Sequence, residues 1–320
     1  MQDEAVIYGV DVSKAELVVA THPRTVQRVV ANQATAIKAW LRTLAKSSCI
    51  AVESTGRYPA TLVRLAQAAG MTVYVLNARD VYFYAKALGV RGKTDASDAQ
   101  VIARYLAEHR TRLHEYCAGT PQQQRLVELL RRRAQLQRHL DALNQCLKDV
   151  SGMGRQRLSL QRQQAKILAQ VDAKIQQLIE QDSAARPRYE RLQTITGIGP
   201  QTAALLTAVL GRVPFDNINA VVAFSGLDPR PADSGTKHGR RRLTKRGPAL
   251  MRKLLWMAAF SAGHSKLFRP LYDSLMQRGL SPTEATVILA RKLLRIAWAV
   301  WRTGQPFDPT KAVSLVASPA

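Results

Sequence analysis

An α/β domain, followed by a helical coiled coil and a mainly helical C-terminal region, is the fold class this sequence predicts. Three observations carry it. Short β-branched runs crowd the first thirty-one positions, strand and helix patterns then alternate as far as Glu108, and leucines recur at three- and four-residue spacings from Leu126. The chain has 320 residues and is 46% hydrophobic, enough to bury the cores of two ordinary domains.

Ala5 to Val12 is an apolar, β-branched run, and Glu16 to Ala20 and Val26 to Ala31 are two further short strands, with Pro23 and Arg24 in the second turn. Thr35 to Ala45 has helical spacing. Cys49 to Glu53 reads as a short buried strand ending in the turn Ser-Thr-Gly-Arg-Tyr. Pro59 to Gly70 is helical with Gly70 as its stop, Met71 to Asn77 is a strand, and Thr94 to Glu108 is a helix. Three antiparallel strands followed by strand–helix alternation match an RNase H-like sheet.

From Leu126 the period changes. Leu126, Leu129, Arg133, Leu136, Leu140, Leu143, Leu147 and Val150 form the a/d seam of a coiled coil, with an arginine at one core position. Ser151 to Gly154 breaks the pattern, and Ile167, Leu168, Val171, Ile175 and Leu178 line a second helix. An antiparallel hairpin, a dimer arm and a plain bundle all fit. The expected divisions are 1–120 for the α/β domain, 121–186 for the coiled-coil linker and 187–320 for a C-terminal domain of helices and Gly-, Pro- and Arg-rich loops.

The formal net charge is +24. Lys and Arg in such excess, clustered in the chain, suit a polyanionic partner whose phosphates they neutralise. No apolar run approaches the roughly 18 residues of a membrane helix; Arg295 interrupts the longest candidate, Leu293 to Trp301. Three widely spaced cysteines form no CxxC pair, and the start Met-Gln-Asp-Glu is unlike a signal peptide, so a cytoplasmic setting is expected. The histidines show no zinc-ligand spacing, and no P-loop occurs. Trp256, Trp298 and Trp301 lie in apolar helical stretches and read as core residues.

Four carboxylates stand out. Asp11 lies at the end of the first strand in Gly-Val-Asp-Val-Ser-Lys, and Glu53 ends a later strand in Ala-Val-Glu-Ser-Thr-Gly. Asp95 and Asp98, in Lys-Thr-Asp-Ala-Ser-Asp-Ala, share one face of a helix start. Four hard oxygen donors suit Mg²⁺ or Mn²⁺, and two such ions can hold a scissile phosphate. Asp95 alone could equally be a residue favoured by the helix dipole, and Glu53 a turn cap.

Ile195-Thr-Gly-Ile-Gly-Pro200 joins two helical stretches and resembles a helix-hairpin-helix, in which Gly197 and Gly199 expose backbone N–H groups to a phosphate. An ordinary αα turn is the bland alternative. Two Ser-Gly pairs follow, at Ser225 and Ser234, and then Lys237, Arg240, Arg241, Arg242, Lys245, Arg246, Arg252 and Lys253 with no acidic residue among them. A serine beside such a cluster could attack a phosphodiester while the cations stabilise the developing charge, and a flexible basic loop that only grips the backbone is the bland alternative. The residues alone do not choose between Ser225 and Ser234.

These motifs together, with Val-Glu-Ser-Thr-Gly-Arg-Tyr and Phe-Ser-Gly-Leu-Asp-Pro-Arg, resemble the Piv/MooV-type DEDD transposases of insertion-sequence family 110, the RNA-guided bridge recombinases. The resemblance spans nearly the whole chain. It implies a RuvC-like N-terminal domain, a coiled-coil linker and a C-terminal transposase domain. The family's acidic ligands fall on Asp11, Glu53, Asp95 and Asp98, and its nucleophilic serine on Ser234. It also implies donor and target DNA, a structured non-coding guide RNA, and a homo-oligomer, dimer to tetramer, whose composite sites draw on different subunits. A junction-resolving nuclease that uses metal-activated water, and a non-catalytic nucleic-acid-binding protein, are the alternatives.

Overall fold

A computed structural model of the chain describes residues 6–23, 26–54, 56, 58–90, 92, 94–230, 239 and 241–310. The chain divides into two compact units, Met1–Ala118 and Gly119–Ala320.

In the first unit β1 (Ile7–Val12), β2 (Glu16–His22) and β3 (Gln27–Ala31) follow one another, then α1 (Ala34–Leu41), β4 (Cys49–Glu53), α2 (Ala60–Ala68), β5 (Thr72–Leu76), α3 (Ala78–Ala87) and α4 (Asp95–His109). The sheet order is β3-β2-β1-β4-β5. β1, β2 and β3 pair antiparallel, while β4 runs parallel to β1 and β5 parallel to β4. That mixed sheet is RNase H-like. Val10, Leu17, Ile50 and Val52 bury one face against α1 and α2, through Ile37, Trp40 and Leu62. Ala51, Tyr74 and Leu76 bury the other against α3 and α4, through Val81, Ile102 and Leu106.

The expected strands and helices of this unit are present, with ends shifted by a few residues. α3 is an addition. Only Val81 is buried on it, so its sequence shows little apolar periodicity. Asn77 caps it, its side chain accepting from the Arg79 N–H at 3.0 Å.

The second unit opens with α5 (Pro121–Cys146) and α6 (Gly154–Glu180). Arg133 meets Asp172 and Asn144 meets Gln164, so positions rise on one helix as they fall on the other, and the pair is an antiparallel hairpin. The expected seam is only partly right. Leu126 is buried, but so is Leu130, which the heptad reading omits; Leu147 caps the end of α5 and Val150 lies beyond it. Leu143 and Val150 are exposed because two helices alone cannot cover a seam on both sides.

α7 (Ala185–Gln193), α8 (Pro200–Arg212) and α9 (Ile218–Ser225) follow, then a two-stranded ribbon of β6 (Pro229–Arg230) and β7 (Arg242–Leu243). α10 (Ala249–Gly263), α11 (Arg269–Gln277) and α12 (Pro282–Thr303) complete the unit. One core joins the hairpin's base to these helices: Leu130 and Ile179 with Leu192, Leu206, Leu255, Phe268 and Leu293. Trp298 and Trp301 pack against that core as expected. Trp256 is a correction: it lies half-buried and stacks on Phe260, which is 48% exposed. An apolar helical context cannot say which side of a helix meets the core. Among the described residues, no helix is long and apolar enough to cross a membrane.

Candidate DNA-processing site

Asp11 and Glu53 meet because their strands are neighbours. The parallel register pairs Val10 with Val52, which sets the next residues, Asp11 and Glu53, level at the C-terminal edge of the sheet. α4 brings in the other two carboxylates. Its buried stripe is Ala99, Ile102, Ala103 and Leu106, and one turn earlier the same side of the helix carries Asp95 and Asp98.

Gly9 fixes that approach: a Cβ there would lie 2.2 Å from the Ala99 carbonyl oxygen and 2.3 Å from the Ala103 nitrogen. Ala99 packs with Val18 and Ala20, and Val18 pairs with Asp11 across the sheet. The start of α4 therefore stands beside the strand position of Asp11.

The first turn of α4 is held by a capping box. Thr94 Oγ1 accepts from the Ser97 N–H at 3.1 Å, and Ser97 Oγ accepts from the Thr94 N–H at 3.0 Å. The capping role thus belongs to Thr94, which leaves Asp95 exposed and Asp98 half-buried. Asp11, Glu53 and Asp98 each engage in a polar or electrostatic interaction. Among the described residues, no three His, Cys, Asp or Glu side chains are grouped so as to hold a metal ion. The backbone thus brings the segments that carry the four carboxylates toward one edge of the sheet, and the side chains themselves are not gathered into a cage. As a donor set, four carboxylate groups match a hard divalent ion.

In the second unit, a glycine-containing turn joins α7 to α8. Gly197 has φ +93°, and a Cβ on it would lie 2.6 Å from the Ala258 carbonyl oxygen, so this glycine also serves close packing on α10. Gly199 is the N-cap of α8 with no side chain capping the helix, and nothing stands within 4 Å of a Cβ built on it. The N–H groups of the first turn of α8 are therefore not taken by a capping side chain.

Of the two serines, the structure describes Ser225. Ser225 is fully buried, its hydroxyl donating to the Val222 carbonyl at 2.6 Å and accepting from the Leu227 N–H at 3.1 Å. It secures the end of α9, where Gly226 turns the chain at φ +69°. The Ser225 hydroxyl is thus engaged both as donor and as acceptor. Ser234, Lys237 and Arg240 lie outside the described residues.

The base of the loop that carries Ser234 is well defined. Pro229 pairs with Leu243, and Arg230 with Arg242. Thr244 Oγ1 donates to the Asp228 carboxylate, and the Thr244 N–H donates to the Asp228 carbonyl at 3.0 Å. Arg252 donates to the Gly247 carbonyl and, at 3.3 Å, to that of Ser225. Burial pushes its pKa down. Arg241, Arg242, Lys245 and Arg246 are exposed around this base. Sequence reasoning missed Asp228 and Thr244 as the clamp. An acid in a basic loop was the available signal.

Residues 8–150 match a family model described as "Transposase", and residues 189–273 one described as "Transposase IS116/IS110/IS902 family". The chain is 30% identical over 268 residues to the pilin gene-inverting protein of Moraxella lacunata, covering 80% of this chain and 81% of that protein; the Moraxella bovis protein matches equally. An uncharacterized 44.8 kDa protein of insertion element IS116 from Streptomyces clavuligerus is 29% identical over 41% of this chain and 33% of its own length. Among solved structures, Thermus thermophilus RuvC in complex with a Holliday junction covers 35% of this chain and all of its own, at 16% identity and a TM-score of 0.29, too slight a likeness to carry an argument. The chain belongs to the IS110 family of DEDD transposases.

Proposed function

We propose that this transposase cuts and rejoins DNA strands through a covalent phosphoserine at Ser234, with a divalent ion held by Asp11, Glu53, Asp95 and Asp98. The single observation that supports the reading is the convergence of β1, β4 and α4, three separate chain segments that each carry an acid of the set.

When bound there, Mg²⁺ or Mn²⁺ supplies electrostatic stabilisation of phosphate charge. The Ser234 Oγ attacks phosphorus; an Oγ–P bond forms as a backbone P–O bond breaks, the serine proton passes to a base or solvent, and the leaving oxygen takes up a proton. Attack by a hydroxyl of the second strand reverses these changes and frees the serine. Arg241, Arg242, Lys245 and Arg246, with Lys237 and Arg240, hold the strands, and the Gly197–Gly199 turn grips a phosphate. The regions 1–120, 121–186 and 187–320 serve as RuvC-like domain, coiled-coil linker and transposase domain. Resemblance to the family supports a structured non-coding guide RNA, and a dimer or tetramer whose sites draw on different subunits.

The test is Ser234→Ala with labelled donor DNA. Covalent protein–DNA adducts should vanish while DNA binding is kept. Persisting adducts would remove Ser234 from the mechanism, and continued hydrolysis without adducts would turn the reading to a water-using nuclease.

A further inference from the structure

The second unit carries an exposed aromatic ladder that strand transfer at Ser234 does not by itself require. On α10, Trp256 stacks on Phe260 with centroids 5.5 Å apart and planes 16° apart, and Phe260 meets His264 at 4.8 Å. His264 Nδ1 lies 2.7 Å from the Phe260 carbonyl. A carbonyl only accepts, so this nitrogen carries a proton and the ring is held against Phe260. Met257 and Phe260, 50% and 48% exposed, open the stripe to solvent, and exposed Lys253 stands at its start. Rings that fall at three- and four-residue steps on one helix side form a continuous strip.

The ladder's charge setting selects its partner. From Arg241 to Lys266 the chain has seven Lys and Arg residues and no Asp or Glu. Such a surface repels a second copy of itself and attracts a polyanion. Ring surfaces add affinity only for bases that are not hidden in a duplex. α10 also continues directly from the serine loop: Gly247 lies against Phe224, where a Cβ would sit 1.8 Å from the carbonyl oxygen, so the helix start is fixed to the loop's base. Phe260 stands about 16 Å along the axis from Ala249, at 1.5 Å per residue.

We infer that Trp256, Met257, Phe260 and His264 form a stacking platform for an unpaired DNA strand leading away from the serine loop. The inference rests on the reading of that loop as the site of strand attack. A cut strand that leaves its duplex to be exchanged has unpaired bases, and the platform holds it until it is rejoined.

The test is equilibrium binding of a fluorescein-labelled oligothymidylate of about 20 nucleotides, in EDTA, beside a duplex and a single-stranded RNA of matched length. Phe260→Leu keeps apolar bulk and removes the ring. It should weaken oligothymidylate binding about tenfold and leave duplex binding unchanged, while Phe260→Tyr restores wild-type affinity. Oligothymidylate should quench tryptophan emission in the wild type. Equal losses for duplex and single strand, a loss confined to RNA, or unchanged oligothymidylate binding with an altered sedimentation profile would each overturn the platform. No strand chemistry enters the measurement, so Ser234→Ala should bind like the wild type, and failure of the nucleophile assignment stays separate.

Discussion

Gly9 and Ala99 stand so close that a Cβ on Gly9 would lie 2.2 Å from the Ala99 carbonyl oxygen. Gly9 is two residues before Asp11, and Ala99 is the residue after Asp98. The missing side chain thus lets α4 rest directly on β1, the strand that carries Asp11. Gly9→Ala should lift α4 from the sheet, destabilise the first unit by about 3 kcal/mol, and abolish strand cutting. Thermal unfolding read alongside cleavage checks it; a variant that melts like the wild type and cuts normally removes the close approach from the account.

Ser225→Ala leaves the buried Leu227 N–H without its side-chain acceptor. The cost should be about 1–3 kcal/mol of stability, with protein–DNA adducts still forming. Denaturant titration and adduct gels on the same preparation separate this result from that of Ser234→Ala.

Removal of divalent ions should stop strand cutting. Asp11→Asn and Asp98→Asn should each lower the cutting rate by about a hundredfold or more, since the donor set loses a charge while the shape is kept. Circular dichroism should be unchanged. Cutting in EDTA at the rate found with Mg²⁺ would overturn the metal assignment.

Arg133 Nε donates to Asp172 Oδ1 at 2.5 Å, and Nη2 donates to Oδ2 at 2.8 Å, a bidentate bridge between α5 and α6. Asp172→Ala should destabilise the second unit by about 2 kcal/mol, because it removes the carboxylate partner of a mostly buried guanidinium. The double variant Arg133→Met, Asp172→Leu should regain most of the loss. Unchanged unfolding in Asp172→Ala, with weakened RNA binding in Arg133→Met, would mark Arg133 as a nucleic-acid contact instead.

Tyr84 links α3 to α4 by donating to Glu108 Oε2 at 2.6 Å. Burial first, then this hydrogen bond and the charge of Glu108, push its pKa from 10.0 to about 12. The folded value lies above the unfolded one, so the contribution is full below about pH 10 and lost as pH rises toward about 12. Wild type should therefore lose stability across that window relative to Tyr84→Phe. Absorbance titration at a tyrosinate wavelength, paired with denaturant melts, reads it; equal pH slopes for the two proteins would count against the linkage.

Composition, periodicity and motif spacing placed most elements of the first unit and singled out Asp11, Glu53, Asp95 and Asp98, because strand and helix periods and strand-end acids are local properties of a chain. α3 escaped, since a helix with one buried residue has almost no apolar period. The seam beyond Leu140 and the interior place given to Trp256 also misled, because a heptad or an apolar context does not say how many neighbours are present to cover it. The choice between the serines was undetermined by spacing alone. Tertiary structure settled the part played by Ser225, whose hydroxyl is consumed by Val222 and Leu227, contacts that depend on how α9 ends and where the next loop returns. The meeting of the acid-bearing segments was decided in the same way. The sequence supplied carboxylates on three separated segments, and only the parallel pairing of β1 with β4, with α4 seated on Gly9, brings those segments to one edge.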